Sequence, residues 1–271
     1  MRKFLRFIIF VLVAILIGGI VFVILSRNGG RTPSHPTTSG EISKIGSGEQ
    51  TKNLADEVVV ETGTYKVTTD HKFIDCEYPK IKSFKNASKM KYINDLIVED
   101  INQYRDEIDV MLEDEISLLL TESGEEESKI KPTDRYRYVV SYEKFTFDKY
   151  LFLVVSQEYN SGGIRSVKFK DIYSIDVTTE TIVELSEMFE PGVHFESAII
   201  AEIQKQAVGR NIELMGGNGI KSLKKSQKFY IKDSKLIIYF APAEVAANVY
   251  GELSFEMPFT LKANGTFEIN S

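Results

Sequence analysis

From Phe7 to Leu25 the chain carries no charged or strongly polar side chain. At about 1.5 Å of rise per helical residue, a run of that length matches the roughly 30 Å hydrocarbon layer of a bilayer. It predicts a transmembrane helix over residues 7–26. Gly18 and Gly19 would be costly in a helix facing water, but such glycines are common in lipid, where the backbone has no competing hydrogen-bond partner. Arg2, Lys3 and Arg6 precede the run, and Arg27 and Arg31 follow it. With the amino terminus added, this balance predicts a cytoplasmic tip at residues 1–6 and an extracytoplasmic remainder. A cleaved signal peptide has an apolar region of about 7–15 residues ending in small residues. Here the run is longer and closes Val23-Ile24-Leu25-Ser26-Arg27, so a retained single-pass anchor in the cell membrane is expected.

The whole chain carries −6, of which the five basic residues just named contribute +5, leaving −11 for the rest. A surface of that sign repels phosphate backbones, so no nucleic-acid partner is expected. Cys76 is the single cysteine, which excludes an intramolecular disulfide. It lies in the alternating stretch Phe73-Ile74-Asp75-Cys76-Glu77-Tyr78 and reads as a small buried hydrophobe. The fold must therefore rest on its core, and a chain of this size beyond the linker buries roughly 70 % of its unfolded surface.

Residues 27–55 are rich in Gly, Ser, Thr and Pro without apolar periodicity and read as a flexible linker. Val58-Val59-Val60 and Tyr65-Lys66-Val67 flank Glu61-Thr62-Gly63-Thr64, a pattern of two strands around a turn, with another strand near Phe73–Tyr78. From about Ser88 to Leu120, Met90, Ile93, Ile97, Ile101, Tyr104, Ile108 and Leu112 recur every three or four residues and predict an amphipathic helix. Its other face, with Glu99, Asp100, Asp106, Glu107, Asp109 and Glu113–Glu115, reads as solvated. Tyr136–Val183 is aromatic and β-branched, with turns suggested at 147–150, 160–163 and 177–180, as in an antiparallel meander. A second helix is expected over Phe195–Val208, then two strands about Asp233-Ser234 and short strands at 255–259 and 267–269. The class is α+β, an antiparallel sheet meander with two main helices packed on it, preceded by one transmembrane helix. Residues 56–130 form the first extracytoplasmic module and 131–271 the second.

Three groups of residues carry a resemblance. Tyr78-Pro79-Lys80-Ile81 with Ile93-Asn94 form the first. Glu158-Tyr159-Asn160-Ser161-Gly162-Gly163, Asp176-Val177-Thr178-Thr179 and Leu185-Ser186-Glu187-Met188-Phe189 form the second, and Tyr239–Ala246 with Gly251 and Pro258 the third. Over about residues 57–260 the chain resembles the extracytoplasmic domain pair of the anti-sigma-V factor, a lysozyme receptor, and of the N-terminal region of a peptidoglycan deacetylase. The second module is similar to the RsiV-like C-terminal domain of unknown function. Arg165 stands where that pattern often has His, Glu180 where it has Gly, and Ala243, Ala247 and Asn248 where it has Tyr, Pro and Tyr. The resemblance implies an α+β module that binds a protein or wall component. It implies neither sigma-factor control, since the sigma-binding segment has no counterpart ahead of the apolar run, nor deacetylation, since no deacetylase domain follows.

The histidines are His35, His71 and His194, in no H-x-x-x-H or H-E-x-x-H pair, and there is no G-x-S-x-G elbow. No metal, cofactor or catalytic residue is expected. A glycan-active hydrolase built on paired carboxylates is the less favoured reading. Gly162 and Gly163 suit a tight turn that would present Tyr159 and Arg165 to a ligand, and Asn248 and Tyr250 near Gly251 are a second ligand-binding candidate. The expected function is a non-enzymatic, membrane-anchored binding or sensing protein of a Gram-positive cell envelope, whose ligand is a lysozyme-like protein. The alternative is an accessory peptidoglycan-binding domain or an inhibitor of wall hydrolases.

Overall fold

Strand β4 (Tyr150–Asn160) opens with six consecutive buried residues, Tyr150–Val155, the mark of a strand covered on both faces. Successive side chains of a strand point to opposite sides. Leu151, Leu153 and Val155 enter one hydrophobic core, and Tyr150 and Phe152 enter another. The computed structural model that shows this describes residues 53–69, 72–123, 136–160, 166–216 and 219–270. The expected tip, transmembrane helix and most of the linker lie outside the described residues. Among the described residues no helix is long and apolar enough to cross a membrane.

Around β4, strands β1 (Val60–Thr68), β2 (Lys72–Ile81), β3 (Tyr136–Phe147), β5 (Val167–Asp176) and β6 (Thr181–Ile182) complete a six-stranded sheet in sequential order. Strands β7 (Phe229–Lys232), β8 (Lys235–Phe240), β9 (Leu253–Leu261) and β10 (Phe267–Ile269) form a four-stranded antiparallel sheet. Helix α1 (Ala87–Ser123) separates β2 from β3, and α2 (Phe195–Gly209) lies between β6 and β7. The protein is thus α+β with two α-helices, as expected, but its larger sheet is mixed. β2 and β3 run parallel, with Ile74 beside Tyr138 and Cys76 beside Val140. A parallel pair needs a long crossover, and α1 provides it. The pairing also carries one sheet across residues 130/131, where the sequence reading divides two modules.

On one face α1 contributes Ile93, Ile97, Ile101, Ile108 and Leu112 to the first core, with Tyr138 and Val140 of β3 and Tyr173 and Ile175 of β5. The apolar stripe read from the sequence is the stripe that is buried. On the other face the second core collects Ile199, Ile203 and Ala207 of α2, Leu185 and Met188 of a 3-10 turn, and Phe229, Phe255 and Phe267. Ring contacts tie the two sheets together: Phe145 with Tyr230 at 5.5 Å, Phe147 with Phe259 at 5.3 Å and Phe152 with Phe229 at 6.1 Å.

The turn at Asp233-Ser234 joins β7 to β8 with both residues at positive φ, 50° and 57°, as a two-residue hairpin turn of the primed type requires. The turn expected over Glu61–Thr64 does not form, because those residues are interior to β1. Gly63 pairs with Tyr78 of β2, and a Cβ on Gly63 would lie 2.4 Å from the Tyr78 ring. Here glycine makes room for a cross-strand aromatic rather than bending the chain. Gly63→Val is expected to destabilise the protein by about 1–2 kcal/mol and to cost less in a Tyr78→Ala background. Chemical denaturation of the four-member cycle checks this, and additive losses would refute the packing account.

Candidate functional site

The N-terminal half of α1 runs beside the edge strand β6 and its neighbour β5, and two adjoining depressions, both touching Ile182, open along this line. One, of about 380 Å³, is lined by Lys89, Tyr92 and Ile93 of α1 and by Glu180 and Thr181. The other, of about 330 Å³, lies between Leu96 and Asp100 of α1, Asp171 and Tyr173 of β5, and Gln227 and Lys228 ahead of β7.

Polar contacts at the start of α1 fix the groove. Asn86 caps the helix, its Oδ1 accepting the backbone N–H groups of Ser88 at 3.0 Å and Lys89 at 3.1 Å. From the β5–β6 turn, the Glu180 carboxylate accepts the N–H groups of Lys85 at 2.6 Å and Asn86 at 2.9 Å. Glu180 has φ 55°, a left-handed conformation that favours glycine. Two charge-assisted bonds at the positive end of a helix offset that strain, which accounts for Glu rather than the glycine of the resembled pattern. In the same turn Asp176 accepts the Thr178 N–H at 2.8 Å and its hydroxyl at 2.5 Å, and faces Lys149 Nζ at 2.8 Å. Burial pushes the Asp176 pKa up, but the bonds from Lys149 and Thr178 bring it below the ordinary value. The Thr179 N–H also donates to Asp176 Oδ1, at 3.3 Å, so the Asp-x-x-Thr motif is a turn-forming device.

Deeper in, a chain of hydrogen bonds crosses the sheet. The buried Tyr138 hydroxyl donates to Gln157 Oε1 and lies 3.2 Å from the Ile101 carbonyl. Gln157 Nε2 donates to Asp171 Oδ2 at 2.5 Å, and Lys228 closes the chain on Asp171 Oδ1. Beside it the Tyr173 hydroxyl donates to Asp100 Oδ2 at 2.7 Å. No cation of the described residues lies within ion-pairing distance of Asp100. Burial raises the Asp100 pKa, the Tyr173 bond opposes that, the Asp171 charge adds to it and Lys228 opposes it. Gln227 is 5 % exposed, and its Nε2 donates to the Tyr239 carbonyl at 2.7 Å. That bond settles which end of the amide is which, leaving Oε1 as a buried acceptor without a partner among the described residues.

Asp100 corrects the sequence reading, which places it on the solvated face of α1. It follows Ile97 by three residues and precedes Tyr104 by four, so it sits on the buried stripe. The spacing carried that signal, and the charge masked it. Asp109 and Glu115, assigned to the same face, also turn to the sheet, bonding Lys72 and the Tyr136 hydroxyl, each at 2.6 Å. Gln227 carries no motif that marks it.

Of the sequence-derived candidates, Gly162, Gly163 and Arg165 lie outside the described residues. Tyr159 is half-buried against α1, its hydroxyl 3.3 Å from Met111 Sδ and its ring 6.5 Å from that of Tyr104. It belongs to the margin of the first core. Asn248 and Tyr250 are exposed on a 3-10 turn before β9, where the Tyr250 hydroxyl accepts the Glu213 N–H at 3.3 Å. Neither residue lines the groove. Cys76 is buried, and burial pushes its thiol up to about 12, in keeping with a packing role.

Two outcomes follow from this geometry. The folded-state pKa of Asp100 exceeds its unfolded value, so its contribution to stability is complete below the ordinary 3.8 and is lost as pH rises through the folded value. Asp100→Asn keeps an acceptor for Tyr173, and is expected to raise Tm at neutral pH while leaving it unchanged well below pH 3.8. A lower Tm at neutral pH would count against the account. Glu180→Ala is expected to cost about 2 kcal/mol in chemical denaturation, and Glu180→Gly about 1 kcal/mol less, because glycine relieves the positive φ.

Residues 186–260 match a family described as a protein of unknown function, DUF3298. No curated protein matches the chain. A crystal structure of a DUF3298 family member from Bacteroides fragilis is similar at TM-score 0.55 and 11 % identity, over 76 % of this chain and 92 % of that one. One from Pseudomonas aeruginosa has TM-score 0.47 and 9 % identity over the same shares. The match begins within the 3-10 turn Leu185–Met188, takes in α2 and β7–β8, and ends within β9. Residues 186–260 thus form a DUF3298 domain, within a chain whose fold resembles that of the Bacteroides protein.

Proposed function

We propose that this protein is a membrane-anchored extracytoplasmic binding or sensing module of the bacterial cell envelope, non-enzymatic, whose ligand is a cationic envelope-active protein such as lysozyme. The carrying observation is the groove between α1 and the β5–β6 edge, where Asp100 presents a carboxylate with no cation among the described residues. It belongs to a body of net charge −11 once the first 31 residues are set aside. Such a field speeds the approach of a cationic protein, and a carboxylate without an ion-pair partner among the described residues gives it a place to bind. Both oxygens of Asp171 are engaged, one by Gln157 and one by Lys228. That supports binding over hydrolysis, which requires two available carboxyl groups.

The apolar run Phe7–Leu25 supports the anchor, and the motif resemblance to the extracytoplasmic pair of the anti-sigma-V factor supports the ligand class. Calorimetric titration of the detergent-solubilised full chain with lysozyme, at low and moderate salt, is expected to show binding that weakens with salt. Heat at neither salt removes lysozyme as the ligand. Co-sedimentation with insoluble wall material in its place would favour the accessory peptidoglycan-binding reading.

A further inference from the structure

The 330 Å³ depression contains more than an acidic surface. Three carboxylates and two ammonium groups line it: Asp171 holds Lys228, and Glu184 faces Lys225 at 3.4 Å, which leaves Asp100 as the carboxylate with no ion-pair partner among the described residues. Gln227 lines the same depression, and its buried side-chain oxygen meets no donor among the described residues. A buried acceptor without a donor is costly, as is a partly buried carboxylate without a cation. Both are relieved by a ligand that brings positive charge and several N–H donors together. Leu96, Ile172, Val183 and Phe229 give the same depression apolar lining. Methylene chains of cationic side chains bury well against such a wall while the charged head stays with polar groups. The volume lies at the lower end of the range for small-ligand sites.

We infer that this depression is a subsite for one alkyl cation, the ammonium or guanidinium head of a lysine or arginine side chain. Asp100 and Gln227 Oε1 accept its N–H donors, and the apolar wall takes its stem. The inference rests on the proposed function in treating the groove as the ligand-contacting surface, and adds which side chain of the ligand enters it and where.

The test is protein-observed NMR on the detergent-solubilised full chain, titrated separately with the N-acetyl methylamides of lysine, arginine and norleucine, and with calcium chloride. The lysine or the arginine compound is expected to shift the Gln227 side-chain amide and Tyr173 resonances, and the stronger of the two identifies the preferred head. Norleucine, with a similar stem and no charge, is expected to leave them in place. Asp100→Asn retains the shape and the acceptor for Tyr173, and is expected to weaken the cation by about tenfold. Gln227→Leu, checked by its thermal melt, is expected to weaken it as well. Equal response to norleucine, an unaffected Asp100→Asn, or a response to calcium alone would each overturn the inference. If lysozyme binds while neither amino-acid compound does, the subsite is wrong and the proposed function stands. If the compounds bind and lysozyme does not, the reverse holds.

Discussion

Burial of β4 on both faces is the constraint from which the rest follows. A strand in that position must carry apolar side chains at successive positions, and each face needs a layer to cover it. One face takes α1 and the other takes the second sheet with α2. Because β2 and β3 lie parallel, the chain must pass from one end of the sheet to the other between them, and the segment that does so becomes the cover of the first core. The groove is a by-product of this arrangement. α1 spans 37 residues while the sheet ends in the two-residue strand β6, so a trough remains where the helix passes the sheet edge.

Much of this was legible because it depends on local period. The α1 stripe, the span of α2 and the hairpin at Asp233-Ser234 come from spacing and turn chemistry, which tertiary context left unaltered. What was not legible depends on pairing at a distance. Nothing near Gly63 says that Tyr78 will lie over it, and a glycine between β-branched runs reads more simply as a turn. The parallel β2–β3 pair was hidden for the same reason, since the residues that pair are separated by all of α1. Asp100 was readable in position but was overruled by its charge, a prior that fails where a carboxylate meets a tyrosine hydroxyl from the facing sheet.

The resemblance motifs have found mainly architectural employment. Asp176 and Thr178 make a turn, Leu185, Met188 and Phe189 fill the second core, and the Tyr239 hydroxyl accepts the Lys170 N–H at 2.8 Å. Such residues set the backbone route, and they say little about what is bound. Ligand contacts need only be near the framework, so residues such as Gln227 escape a motif altogether.

A polar group's state of satisfaction separates these two kinds of residue. In the series Tyr138, Gln157, Asp171 and Lys228, each donor meets an acceptor and the last acidic group meets a base. A completed network of that kind specifies a unique arrangement and stabilises it. Asp100 and Gln227 stop one step short: Asp100 has the Tyr173 hydroxyl but no ion-pair partner among the described residues, and Gln227 has one bond and a buried oxygen with no donor there. Folding alone favours closing such a network or replacing it with apolar side chains of the same shape. A fold that leaves a buried acceptor and a half-buried carboxylate in one depression without these partners gives up stability there, a loss that binding can recover.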